Sequence, residues 1–177
     1  MSRPRPQTDL QRRKAEPLYS PEERRRRDAS PWTIVQAVLA PLQFIAFLIS
    51  LGLVLRYLAN GEGYEVATWS VVIKTLLLYA IMITGSLWER DVYGQYLFAR
   101  PFFWEDVFSM LVLALHTAYL YLLATGAVEP RTQMLVALAA YASYVVNATQ
   151  FLLKLRAARL QRPDRIGEAM ITARSAE

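Results

Sequence analysis

The sequence predicts an all-α, polytopic membrane protein: a small bundle of four transmembrane helices with both termini in the cytoplasm. Three observations carry this. Apolar residues make up 54% of the 177 residues and charged residues 20%, and the two classes are segregated along the chain. Four runs are each long and apolar enough to supply the about 20 residues that a bilayer crossing needs. Basic residues also gather on one side of that arrangement. Nine Lys or Arg precede residue 32, Arg90 and Arg100 fall in the second connection, and Lys154 and five arginines follow the last run; the opposite side has Arg56 and Arg131.

Residues 1–20, rich in Arg, Pro and Gln, read as a disordered basic tail. Residues 21–161 form the four-helix membrane domain and 162–177 a C-terminal tail. No cleavable signal is expected, because the first apolar run follows about thirty polar residues and is too long for a signal's apolar core. The first span covers Trp32 to Leu58, introduced by Ser30 as N-cap and Pro31 at the first helical position, with a kink expected at Pro41. The second, Val66 to Trp88, contains Lys74. The third runs from Asp106 to Thr125, where Gly126 suits the C-terminal cap. The fourth, Thr132 to Leu153, carries Ala137, Ala139, Ala140, Ala142 and Ser143, small enough for close helix approach. Trp32, Trp88 and Trp104 fit interfacial belts.

The absence of cysteine excludes disulfides, thiolate catalysis and Cys-ligated metal centres, and a single histidine excludes multi-histidine metal sites within one chain. A net charge of +5 could point to nucleic acid, but the basic residues flank apolar spans, which topology and anionic headgroups explain better.

Lys74 and His116 are the most informative polar residues. They lie ~12 Å and ~15 Å from the outer ends of consecutive spans, so both can face one interior at similar depth. A lysine there costs several kcal/mol unless it pairs, snorkels or loses its proton. The bland alternative is a lysine held by backbone carbonyls and a histidine bonded to a neighbouring helix. On the third span Glu105 and His116 are eleven residues apart, only ~20° around the axis, with Ser109 and Val112 between them on the same face. Asp106 falls to one side, where a helix-dipole role competes with a chemical one.

The connection "LWERDVYGQYLFARPFFWED" concentrates four acids, Glu89, Asp91, Glu105 and Asp106, with Tyr93, Gln95, Tyr96, Arg90 and Arg100. Phe98, Phe102, Phe103 and Trp104 add flat apolar surface. That combination suits a large planar amphiphile with ionised edges. Gln36, Gln43, Asn147 and Gln150 add amides to the same half, either as ligands or as bridges between helices.

The stretches "YSPEERRRRDASPWTIVQAVLAPLQFIAFLISLGLVLRYLANGEGY", "GQYLFARPFFWEDVFSMLVLALHTAYL" and "NATQFLLKLRAARLQ" resemble the 3-vinyl bacteriochlorophyllide hydratase family of bacteriochlorophyll biosynthesis. The resemblance covers residues 19 to 161. It implies a membrane hydro-lyase of phototrophic bacteria, in the cytoplasmic or intracytoplasmic photosynthetic membrane. Its substrate would be chlorophyllide a or a bacteriochlorophyllide, whose C3 vinyl group takes up water to become 1-hydroxyethyl. No cofactor is implied beyond water as co-substrate, since magnesium travels in the pigment. Other pigment-biosynthesis enzymes are implied as neighbours, and nucleic acid is not.

The resemblance supplies no catalytic residues, so the site is inferred from the chemistry. Protonating the terminal vinyl carbon leaves a cation beside the macrocycle, and this requires an acid and a guided water. A carboxylic acid sheltered by apolar rings keeps its proton near neutral pH. Glu105 beside Phe102, Phe103 and Trp104 is the first candidate, with Asp106, Glu89 and Asp91 as alternatives. His116 either ligates the substrate magnesium or lines the deep end of the pocket with Lys74; Glu105 and His116 lie ~16 Å apart along the axis, too far to serve magnesium and vinyl together. Tyr96, Phe103, Trp104 and Asn147 are expected around the pigment, whose propionate would meet Arg90, Arg100 or Lys154. The rival reading is a non-catalytic chlorin carrier or assembly factor with the same cavity. A small-solute transporter has little footing, because no inverted repeat is evident.

Overall fold

The computed structural model describes residues 18–160, and both expected tails lie almost wholly outside them. The described chain is helical throughout: α1 (Pro21–Ala29), α2 (Pro31–Asn60), α3 (Tyr64–Tyr93), α4 (Phe103–Thr125) and α5 (Pro130–Leu160). The last four are long and apolar enough to cross a membrane. An even number of crossings returns the chain to its starting side. That side, which holds α1 and the α3–α4 connection, is called the basal end below, and the other the distal end.

The short helix α1 was not expected. It falls within the 21–161 domain, ahead of the first expected span at Trp32, and Ser20 opens a complete capping box: the Ser20 hydroxyl accepts from the Glu23 N–H at 3.2 Å, and the Glu23 carboxylate accepts from the Ser20 N–H at 2.7 Å. Tyr19 anchors it, buried and stacked on Tyr93 at 6.2 Å, with the Arg27 guanidinium 4.8 Å over its ring. Burial pushes the Tyr19 phenol above its ordinary pKa.

Ser30 stands at the N-cap position of α2 with Pro31 at its first turn, as expected, but the serine hydroxyl makes no capping bond; it donates to Asp91 on α3 at 2.7 Å. Helix α2 continues through Pro41 to Asn60. Gly126, in the left-handed region at φ 60°, caps α4 as its sequence position predicts.

The bundle is two hairpins, α2–α3 and α4–α5. Packing is extensive within each and thinner between them, where α2 meets α5 and α3 meets α4. Two of the small residues on α5, Ala137 and Ala140, are fully buried, whereas Ala139 and Ala142 face outward. The core is a column of apolar and aromatic side chains that includes Phe47, Val71, Leu78, Val112 and Tyr141. Phe47 of α2 meets Tyr144 of α5 at 4.9 Å between ring centroids, and one turn further towards the distal end the Ser50 hydroxyl lies 2.5 Å from that of Tyr141. These contacts fix the antiparallel register of α2 against α5.

Candidate functional site

The basal acids take their positions from helix ends that differ from the expected ones. Helix α3 runs five residues beyond Trp88, so Glu89 and Asp91 lie on the helix rather than in a loop, and Gly94 ends it in the left-handed region. Helix α4 starts at Phe103, which places Glu105 and Asp106 in its first turn, favourable for acids at a helix N-terminus.

Three of the four candidate acids converge. Glu89 and Asp106 are both buried, and each holds a backbone amide of the connection between α3 and α4. Asp106 Oδ2 accepts from the Phe98 N–H at 2.7 Å, and Glu89 Oε2 from the Ala99 N–H at 3.2 Å. Glu105 Oε2 lies 2.5 Å from Lys154 Nζ on α5, and the same ammonium donates to the Pro101 carbonyl. The acids and Lys154 thus clasp the 94–102 connection from both hairpins. Phe98 adopts the left-handed conformation at φ 61°, which costs an L-residue about 1–2 kcal/mol, and its bond to a buried carboxylate offsets that strain. Asp91 lies apart from the group, exposed and bonded to Ser30.

The aromatic residues divide. Phe102 is buried against Trp88, Tyr93 and Phe151, with centroids 5.7, 6.0 and 6.1 Å away. Phe103 and Trp104 do not shelter Glu105 in this arrangement: they point outward, and Trp104 is 68% exposed. Tyr96 and Arg100 are also exposed, and the Arg90 guanidinium lies 5.0 Å over the Tyr96 ring.

From the acids a polar stripe leads inward. Glu105, Ser109, Val112 and His116 are all buried on one face of α4, as their spacing requires. Asn147 of α5 donates to Ser109 Oγ at 2.9 Å. Lys74 and His116 are both fully buried and meet at 2.5 Å between Nζ and Nε2. His116 Nδ1 lies 2.8 Å from the Val112 carbonyl, which can only accept. Nδ1 therefore carries the hydrogen, and Nε2 accepts from Lys74. Both ring nitrogens are engaged. The ammonium also sits 4.3 Å over the Tyr144 ring and 5.3 Å from the centroid of Tyr141.

The amides also separate. Gln36 is a bridge, its Nε2 donating to Thr84 Oγ1 at 2.7 Å and to the Ile81 carbonyl. Gln43, whose chemical interest the sequence had not marked above that of the other amides, is 2% exposed, and neither its Nε2 nor its Oε1 has a hydrogen-bond partner among the described residues. The same holds for Asn147 Oδ1 and Gln150 Oε1.

A family model of 2-vinyl bacteriochlorophyllide hydratases matches residues 19–157, which takes in every helix just described up to the last turn of α5. The chain belongs to that family. The 2-vinyl bacteriochlorophyllide hydratase of Rhodobacter capsulatus is 68% identical over 144 residues, covering 81% of this chain and 84% of the relative. The protein of the same description from Cereibacter sphaeroides is 67% identical over 144 residues, covering 81% and 89%. These names number the vinyl position 2, where the sequence resemblance numbers it 3. No solved structure matches the chain. The matched residues include this chain's four candidate acids and its whole inward stripe.

Proposed function

We propose that this chain adds water across the ring vinyl group of chlorophyllide a or a bacteriochlorophyllide, inside the membrane, and that the Glu89–Asp106 pair supplies the proton. Family membership supports the reaction. Two buried carboxyl groups gripping the adjacent amides of Phe98 and Ala99 are the observation that carries the site. Two buried acids so close in the fold disfavour carrying two negative charges, which keeps a proton on the pair for transfer where water is scarce. Glu105, the first candidate from the sequence, is paired with Lys154 and acts as a carboxylate that fixes the basal clasp.

The proton passes to the terminal vinyl carbon, and the π electrons form the new C–H bond. The resulting cation on the inner carbon is delocalised into the macrocycle. Water oxygen bonds to that carbon, and the surplus proton returns to the carboxylate just emptied. One water is added and no electrons are exchanged, so the reaction calls for no redox cofactor. Magnesium enters as part of the pigment. Lys74 and His116 line the deep end, and His116 is not the magnesium ligand in this reading, since both its nitrogens are already bonded.

The basal end faces the cytoplasm of the bacterial inner membrane. It carries the arginines of α1 with Arg90, Arg100, Lys154 and Arg156, while the distal connections carry Arg56 and Arg131. In this proposal Arg90 and Arg100 meet the pigment's propionate, with Tyr96, Phe103 and Trp104 along the same edge. The product stays dissolved in the lipid, where neighbouring pigment-biosynthesis enzymes receive it.

The test is to incubate membranes containing the protein with chlorophyllide a in ¹⁸O-water and separate the pigments by chromatography. Hydroxyethyl pigment bearing the heavy oxygen is expected. Unchanged vinyl pigment that co-purifies with the protein would replace this reading with a carrier.

A further inference from the structure

Hydration in a greasy site needs a water held still, and the acids at the basal clasp already serve the connection and the proton. One oxygen each of Asp106, Glu89 and Glu105 is taken, by the Phe98 amide, the Ala99 amide and Lys154 respectively. One turn further in, the situation reverses. Gln43 and Asn147 are buried, and between them present one N–H₂ group and two carbonyl oxygens with no partner among the described residues. A polar group left so costs stability, and buried polar groups in native proteins are satisfied almost without exception.

The two amides also share a level. Phe47 meets Tyr144 across α2 and α5, and Ser50 meets Tyr141 one turn to the distal side. One turn to the basal side of that contact, the antiparallel register sets Gln43 beside Asn147. Asn147 is tied to Ser109, and Ser109 is three residues, about 4.5 Å, from Asp106 along α4. The amide level and the acid pair therefore stand on successive turns, a separation that a vinyl group can bridge.

We propose that Gln43 and Asn147 form the binding site of the water that is added to the vinyl group. The assignment rests on the hydratase reading above and extends it to the second substrate. Water has two hydrogens to donate and two lone pairs to offer. Gln43 Oε1 and Asn147 Oδ1 accept the hydrogens, and Gln43 Nε2 donates to one lone pair. The other lone pair is left facing the carbon that becomes cationic. The amides remove no proton: when the C–O bond forms, the surplus proton passes to the Glu89–Asp106 carboxylate. Gln43 is thus a water-binding residue and no acid or base.

The experiment compares wild type with Gln43→Leu, and with Gln43→Glu, which keeps an oxygen acceptor at the same reach. It measures kcat and KM for chlorophyllide a, pigment binding by absorption, and thermal stability in detergent. Gln43→Leu should lose tenfold or more in kcat with KM and pigment binding within about twofold, and its melting temperature should hold or rise because a buried unpartnered amide has gone. Gln43→Glu should keep more of kcat than Gln43→Leu. If Gln43→Leu fails to accumulate in the membrane, Gln43→Met, which matches glutamine in length, carries the same comparison. A Leu or Met variant with wild-type kcat, or one whose loss follows weaker pigment binding or a lower melting temperature, overturns the water site while the hydratase reading stands. Wild-type membranes that leave the vinyl group intact while binding pigment overturn the hydratase reading itself, and the water site with it.

Discussion

Lys74 on α3 and His116 on α4 form a neutral-acceptor pair: the ammonium donates to Nε2 at 2.5 Å, and the ring's other nitrogen is tied to the Val112 carbonyl. The pair joins the two hairpins at mid-depth, where a lysine side chain on its own costs about 2.5–3.5 kcal/mol on insertion scales. His116→Leu should strand the buried ammonium and lower stability by about 1–3 kcal/mol, and adding Lys74→Met should recover most of that loss. Thermal unfolding in detergent of both single variants and the double variant checks this; additive losses would show the two residues acting independently.

The same geometry bears on the pigment metal. His116→Ala should weaken binding of magnesium-containing and metal-free pigments alike. A loss confined to magnesium pigments, read by absorption titration, would mean that Lys74 gives up Nε2 to the metal when substrate enters.

The acids should separate by role. Glu89→Gln and Asp106→Asn should each lower kcat by roughly 100-fold or more, the scale of a lost general acid, with the pigment still bound. Glu105→Gln should cost far less in kcat, because its carboxylate serves Lys154. If Glu105→Gln is instead the most damaged of the three, the proton donor is Glu105.

The clasp can be probed without substrate. Asp106→Ala removes the acceptor that holds Phe98 in its left-handed conformation, and Lys154→Ala frees the Pro101 carbonyl. Both should speed chymotrypsin cleavage after Tyr96 or Phe98 several-fold relative to wild type, seen as fragments on gels.

Orientation has a clean test because the chain has no cysteine. Glu62→Cys in the α2–α3 connection should react with a membrane-impermeant thiol reagent in intact cells, and Ser20→Cys only after the membrane is opened. The reverse pattern would place the basal end outside.

The spans were legible because length and apolarity are local properties, and the meeting of Lys74 with His116 was legible because consecutive antiparallel helices set equal depths side by side. The stripe from Glu105 to His116 followed from helical period alone. What stayed hidden depended on helix rotation and on where helices end. Glu105 finds Lys154 on the neighbouring helix only once α4 and α5 are in register, so the sequence left it as a free acid. Adjacency in sequence makes Trp104 and Phe103 look like shelter for Glu105, but at a helix start adjacent residues diverge by about 100°, and these two point outward. Helix α1 had a readable signal in Ser20-Pro21-Glu22-Glu23, which the basic composition around it masked.

The unequal packing of the hairpins has a mechanical corollary. The seam where α2 faces α5 and α3 faces α4 is the most thinly packed line through the bundle, so it would part before either hairpin unzipped. Traffic would then run sideways, from the lipid into the seam and back, while the fastened basal strap stays shut against bulk water.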